Sequence, residues 1–320
     1  MYSIQIHKAI HRITATYGEG GVVFLYLLKG DRVALIDTGT VDSPRQFIQP
    51  ALAEMGMRLS DVDLILNTHA HLDHVGGNLE IKKASGAQIH LHSADLPLAQ
   101  STESQVEFMT APLRALSLPD TEIQQRAAFI RRTAGEAAGA DVLLSEGTSV
   151  DLGAGVVLQV VHTPGHTPGC ISYYWESEGV LLAGDGVQGL GTRPGDTPYY
   201  FDASGYRRSL ATLGRLDVRI LAMAHAYFIN GLVRDATQTG ADARGFIDEA
   251  IQIADAIHGV VAKATRGMPG ASKLEIARGA LAELIYTYPQ LWVRETRMPR
   301  SAGPTMLAHI DAALSDNYPV

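Results

Sequence analysis

The sequence predicts an α/β protein with an all-helical C-terminal region, and three observations carry that prediction. Short apolar runs bounded by glycine or charge alternate with stretches of helical spacing over most of the chain. Strand signals cease after about Thr239. Beyond that point Phe246, Ile247, Ala250, Ile251, Ala254, Ile257 and Val261 recur at helical spacing as one stripe. The expected organisation is residues 1–238 as one α/β unit, with a helical insert at about 93–139, followed by a helical extension over 239–320.

The elements follow in order. "GVVFLYLLKG" and "RVALIDTG" read as adjacent strands joined at Lys29-Gly30-Asp31. "SPRQFIQPALAEMGM" reads as a helix with Ser43 as N-cap and Pro44 at the first helical position. "DVDLILNT" is a buried-type strand and "AQIHLH" a short one. Two helices punctuated by prolines and a glycine fill Ser93 to Gly139. Strands return with "VVLQVVHTPG", "GCISYYWES" and "GVLLAGDG". A loop rich in Gly, Pro and Tyr leads into the helix "ASGYRRSLATLGRL" and the strand "RILAMAH". "DARGFIDEAIQIADAIHGVVAKATR", "SKLEIARGALAELIYTY" and "PTMLAHIDAAL" complete the chain as helices.

Composition bounds the function. The chain of 320 residues is 46% hydrophobic and 19% charged, the balance of a folded globular protein. A net charge of −8 argues against nucleic acid as the main partner, because phosphate backbones require clustered Lys and Arg. A single cysteine, Cys170, leaves no intramolecular disulfide and no thiolate-rich metal cage. "MYSIQIHKAIHRI" contains no continuous apolar segment of signal-peptide type, and no apolar run is long enough to span a bilayer. A cytoplasmic location without membrane association is the expectation.

The chemistry concentrates in "THAHLDHVGGN", Thr68 to Asn78. A solvated loop gains nothing from crowding three histidines around an aspartate, and a core excludes such groups unless they have partners. A divalent ion supplies the reason. On a loop after a strand, His69 and His71 reach one ion, while Asp73 and His74 point to a neighbouring position. Two ions need further ligands, and His166, Asp185 and His225 stand at the ends of later strands. A carboxylate such as Asp185 bridges two ions about 3.5–4 Å apart.

The "HAHLDH" motif with the downstream His166, Asp185 and His225, and "ALIDTG" upstream, resembles the metallo-β-lactamase fold superfamily over roughly residues 10–235. The resemblance implies a four-layer αββα sandwich. It implies that His69, His71 and His166 bind one metal, that Asp73, His74 and His225 bind the other, that Asp185 bridges, and that Asp37 supports the site from behind. Asp185 stands where the commonest zinc β-lactamases carry cysteine, which points to the thioesterase, lactonase and phosphodiesterase branches. The helical tail is similar to a branch containing a quorum-sensing response thioesterase, whose helices cover the active-site mouth.

The expected activity is hydrolysis of a carboxylic ester bond (thioester, ester or lactone) by a metal-bridging hydroxide, with Asp73 orienting the nucleophile. The expected cofactor is two divalent ions, zinc in the first instance, with iron or manganese also suited to His and Asp donors. Tyr199 or Tyr200 is expected to donate to the oxyanion. The partner is a small-molecule acyl substrate, and the chain is a candidate homodimer. Two alternatives are a phosphodiesterase, and a metal-binding regulatory protein with little turnover. His90 and His92 read as structural because the ligand set is complete without them; His162 reads as structural or as a support behind the ligands, because the superfamily pattern uses the second histidine of "HTPGH"; and Cys170 reads as a buried small residue.

Overall fold

A computed structural model describes residues 2–18, 20–192, 196–229, 232–288 and 302–315. Among these described residues the strands form two large sheets and a small hairpin. The first sheet runs in spatial order β1 (Ser3–His7), β2 (Ile10–Tyr17), β3 (Gly21–Lys29), β4 (Val33–Ile36), β5 (Leu64–Leu66), β6 (Gln88–His92) and β7 (Val142–Leu144). Pairing is antiparallel through β4 and parallel from β4 to β7.

Parallel pairs need crossovers, and helices supply them. A π-helical turn (Pro44–Ile48) and α1 (Gln49–Glu54) join β4 to β5, and α2 (Leu72–Val75) and α3 (Asn78–Ser85) join β5 to β6. The insert, α4 (Leu96–Ala99), α5 (Thr102–Ala115) and α6 (Asp120–Thr133), joins β6 to β7.

The second sheet contains β8 (Ser149–Asp151), β9 (Val157–His162), β10 (Ile171–Trp175), β11 (Val180–Gly184) and β12 (Ile220–Met223). Helix α7 (Ala203–Leu213) crosses between the parallel pair β11 and β12. β13 (Tyr227–Ile229) and β14 (Leu232–Arg234) form the hairpin, and β15 (Thr237–Thr239) pairs with β12 at the edge of the second sheet. Three helices follow: α8 (Ala241–Gly267), α9 (Lys273–Thr287) and α10 (Ala302–Ser315). Residues 289–301 and 316–320 of the expected extension lie outside the described residues.

The two-residue period of a strand explains the layers. On β3, Tyr26 and Leu28 face the other sheet, whereas Leu25 and Leu27 pack outward with Ile48, Leu52 and Ile81 of the first helical layer. On β11, Val180 and Leu182 join the core between the sheets, and Leu181 and Ala183 pack outward with α7 and α8. The result is helix, sheet, sheet, helix, as the resemblance implied. The outer core of the second sheet continues into α8, α9 and α10 through Phe246, Ile257, Ala277, Leu284, Met306 and Ile310. Among the described residues no helix is long and apolar enough to cross a membrane.

Two local expectations are corrected. Ser43 is not an N-cap: its backbone is already helical, and its hydroxyl accepts from the Thr40 amide at 2.9 Å, closing the preceding turn instead. The strands β1 and β2 were not anticipated. Arg12 interrupts the apolar pattern of β2, yet it is buried because it pairs with Asp235 and bonds Thr237.

Candidate metal centre

The site lies where strand ends from both sheets meet. The segments after β4 and β5 supply Asp37 and the His69–His74 cluster; those after β9, β11 and β12 supply His166, Asp185 and His225. Two glycines permit the close approach. Gly184 has φ +52°, and a Cβ there would stand 2.6 Å from Thr68 Cβ. A Cβ on Gly77 would stand 2.5 Å from Thr38 O, so the chain after the cluster closes against the β4 end only as glycine.

Three triads of ligand atoms each lie within 4.8 Å: His69, His71 and His166; Asp73, His74 and His225; and His69, His74 and Asp185. The structure therefore brings together all seven ligand-type residues read from the sequence. His69 Nε2 stands 3.1 Å from His166 Nε2, and His166 Nε2 stands 3.2 Å from Asp185 Oδ2. Two nitrogens at about 2.0–2.1 Å from one tetrahedral ion would be about 3.3 Å apart. Asp185 Oδ1 faces the other way, 3.6 Å from His225 Nε2, and Oδ2 is 3.9 Å from His74 Nε2. Asp73 Oδ2 is 3.6 Å from His225 Nε2, and Oδ1 is 3.9 Å from His74 Nε2.

Outward hydrogen bonds aim these rings. His225 Nδ1 donates to Val22 O at 2.6 Å and His166 Nδ1 to Tyr199 O at 2.5 Å, leaving both Nε2 atoms turned inward. His74 Nδ1 pairs with Asp37 Oδ2 at 2.8 Å. Asp37 also accepts from the Thr68 amide at 2.8 Å and the Thr68 hydroxyl at 2.7 Å, and it holds φ +60° to do so. His71 Nε2, His74 Nε2 and Asp185 Oδ1 are buried without a hydrogen-bond partner. Such groups are costly to leave unsatisfied, and a cation is what nitrogen and carboxylate lone pairs aimed at one point would satisfy. The donor set fits a pair of divalent ions.

Charge follows the same logic. Burial pushes His69 well below the ordinary imidazole range, and the neighbouring His74 and His166 push it further; His71 is likewise lowered by burial, then by His166 and His74. Both imidazoles are neutral, as ligands must be. Burial would also lower His74, but the carboxylates of Asp37, then Asp73 and Asp185, outweigh it and lift His74 to about 9, so a cation taken up at its Nε2 displaces a proton. Burial works to raise Asp73, yet His74, His225 and the Tyr17 hydrogen bond hold it below the usual carboxylate range.

The tyrosine expectation divides. Tyr199 lies at the site, its ring centroid 5.9 Å from that of His166 and 6.3 Å from that of His71. Tyr200 does not. It is fully buried, stacked on Tyr206 at 4.2 Å, and its hydroxyl meets His309 Nε2 of α10 at 2.6 Å. Successive side chains of an extended segment point opposite ways, so only one of two adjacent tyrosines faces the centre.

His92 stacks on His162 at 4.1 Å, His162 Nε2 bonds Pro168 O at 2.9 Å, and neither belongs to a ligand triad. Cys170 is buried, and burial pushes its thiol pKa well up, which removes the thiolate a nucleophile needs.

Sequence reasoning missed Tyr17, Gln188 and Arg126. Tyr17 donates to Asp73 Oδ2 at 2.5 Å. Gln188 Nε2 donates to Tyr199 O at 3.0 Å and Asp185 O at 3.1 Å, tying the loop of one to the loop of the other. Arg126 of α6 lies over the rings of Phe129 and Tyr199, 5.6 and 6.0 Å from their centroids. No spacing motif marks any of the three.

The model of the metallo-beta-lactamase superfamily matches residues 18–225. A hydroxyacylglutathione hydrolase of Anaeromyxobacter dehalogenans (strain 2CP-C) is 31% identical over 169 residues, covering 53% of this chain and 47% of that protein. The probable metallo-hydrolase YqjP of Bacillus subtilis (strain 168) is 28% identical over 230 residues, covering 67% of this chain and 70% of that protein. The match thus spans about half the length of the hydroxyacylglutathione hydrolase.

Among solved structures, a metallo-beta-lactamase family protein from Thermus thermophilus is similar with a TM-score of 0.72 and 24% identity, covering 98% of this chain and 95% of that one. BJP-1, a subclass B3 metallo-beta-lactamase of Bradyrhizobium japonicum, is similar with a TM-score of 0.57 and 24% identity, covering 83% and 96%. At such identities the likeness establishes the fold alone.

Proposed function

Because this chain belongs to the metallo-β-lactamase superfamily, we propose that it is a dinuclear metal-dependent hydrolase of carboxylic ester bonds, with thioesters ahead of lactones and simple esters. The observation that carries this reading is Asp185, whose two oxygens face His166 on one side and His225 on the other. His69, His71 and His166 would hold one ion, Asp73, His74 and His225 the second, with Asp185 shared. The donors suit zinc first, and iron or manganese as well. A pair of divalent ions, when bound, lowers the pKa of water and polarises a carbonyl.

The chain's own residues do the rest. Asp73 keeps its carboxylate ionised and oriented by the Tyr17 hydroxyl, ready to accept a hydrogen bond from an attacking water. Tyr199 keeps its proton, because burial raises its pKa, and it is the side chain placed to donate to a developing oxyanion. Phe108, Tyr199 and Phe201, with ring centroids 6.0–6.3 Å from that of His71, make an apolar wall that excludes water around a small acyl substrate. An acyl glutathione is a thioester, so the relatives named for that substrate support thioester cleavage. The net charge of −8 weighs against phosphodiesters of nucleic acid.

Metal analysis of the purified protein should find two ions per chain. A panel of acyl thioesters, lactones, a β-lactam and a phosphodiester on that protein should rank the thioesters first in kcat/KM. A phosphodiester or β-lactam preference of about tenfold or more, or less than one metal equivalent after reconstitution, would sink the reading.

A further inference from the structure

We propose that Arg126 is a specificity-determining residue that binds an anionic group on the substrate, carried beside a flat apolar body; this rests on the hydrolase reading above. Arg126 projects from α6, the second long helix of the insert, and is half-buried. Among the described residues it forms no ion pair with a carboxylate, whereas Arg131 on the same helix pairs with Glu103. Its fixed neighbours are aromatic faces, Phe129 at 5.6 Å and Tyr199 at 6.0 Å.

Position gives this cation its meaning. The guanidinium lies 6.0 Å from the Tyr199 ring, and that ring stands 6.3 Å from His71 and 5.9 Å from His166. Tyr199 packs edge-on against Phe201 at 5.2 Å and Phe201 against Phe108 at 4.3 Å, an aromatic wall whose rings stand 6.0–6.3 Å from that of His71. A flat acyl or thiol portion can lie on that aromatic wall with its scissile carbonyl at the ligand cluster. Its anionic substituent then meets the guanidinium. Cation–π contact with Phe129 and Tyr199 orients the guanidinium and leaves its in-plane N–H donors for a bidentate carboxylate. Charge on the chain as a whole is negative, which favours a substrate with one anionic group over a polyanion.

The test compares matched thioesters on metal-replete protein, one pair differing as carboxylate against carboxamide on the acyl side, the other on the thiol side. Wild type is expected to prefer the carboxylate in one pair by about tenfold or more in kcat/KM. Arg126→Gln is expected to erase that carboxylate-to-carboxamide preference, read as a ratio within the variant, and Arg126→Lys to restore part of it. A preference unchanged in Arg126→Gln, or no preference in either pair, overturns the proposal.

Calorimetric titration with 3-phenylpropanoate and 3-phenylpropanamide separates this inference from the hydrolase reading, since it needs no turnover. The acid should bind wild type at least about fivefold tighter than the amide, and Arg126→Gln equally to it. If the acid keeps its advantage in the variant, other groups hold the carboxylate and the assignment is wrong. If no ester is cleaved but the titration behaves as expected, the hydrolase reading falls and the anion site stands.

Discussion

The hydroxyl of Tyr17 donates to Asp73 Oδ2 at 2.5 Å, tying the last residue of β2 to the single helical turn that carries Asp73 and His74. Burial, and then the Asp73 charge, push the Tyr17 pKa well up, so the phenol stays protonated and remains the donor. The bond fixes which oxygen of Asp73 is left for other partners.

Tyr17→Phe removes this donor and little volume. Metal content and far-UV spectrum should be unchanged, and kcat/KM for the best thioester should fall by about 10- to 100-fold, the scale for losing a group that orients a ligand. Steady-state kinetics beside elemental analysis checks this; activity within about twofold of wild type would deny Tyr17 an orienting role.

Asp37→Asn isolates charge from shape, because Asn tolerates the left-handed backbone Asp37 adopts at φ +60°. His74 loses its anionic partner, so one metal position should weaken by about 10- to 100-fold in a chelator competition. Affinity equal to wild type at both positions would contradict the role.

Asp185→Asn should reduce bound metal toward one equivalent and cut turnover by at least about 10²-fold. Full metal occupancy with near wild-type turnover would show that Asp185 is not shared between two ions.

His309 links stability to pH. Burial first, then the nearby His258 and Arg207, lower its pKa to about 3, and it accepts from the Tyr200 hydroxyl as a neutral ring. The folded value lies below the unfolded one, about 6.5. The unfolded chain therefore binds the extra proton as pH falls. Stability from this group is present above about pH 6.5 and is lost progressively down to pH 3, with a slope of up to about 1.4 kcal/mol per pH unit. Urea titrations between pH 7 and pH 4.5 should show a shallower dependence for His309→Gln. Parallel dependences for variant and wild type would place the linkage elsewhere.

The strands β3 to β6 and β9 to β12 were legible because buried strands are short apolar runs closed by glycine or charge. β2 was not, since Arg12 reads as surface until Asp235, 223 positions away, is seen beside it, and β1 was not, since its five residues are exposed or half-buried and form no apolar run. "HAHLDH" was legible because donor types crowd a segment that neither a core nor a surface would produce. Tyr17 and Arg126 were not, because a tyrosine at a strand end and an arginine on an amphipathic helix are ordinary residues until distant segments meet them.

By itself, the order of residues determined the α/β class, the helical C-terminal region, and the kinds of donor available: His69, His71, Asp73, His74, His166, Asp185 and His225. Tertiary structure alone decided which atoms converge, that Tyr199 faces the centre while Tyr200 serves α10, and that Tyr17, Gln188 and Arg126 join the site. The physical reason is range. Periodicity and donor chemistry are local properties of a segment, whereas a hydrogen bond or an ion's ligand shell depends on distances of a few ångströms between residues that only the packed sheets bring together.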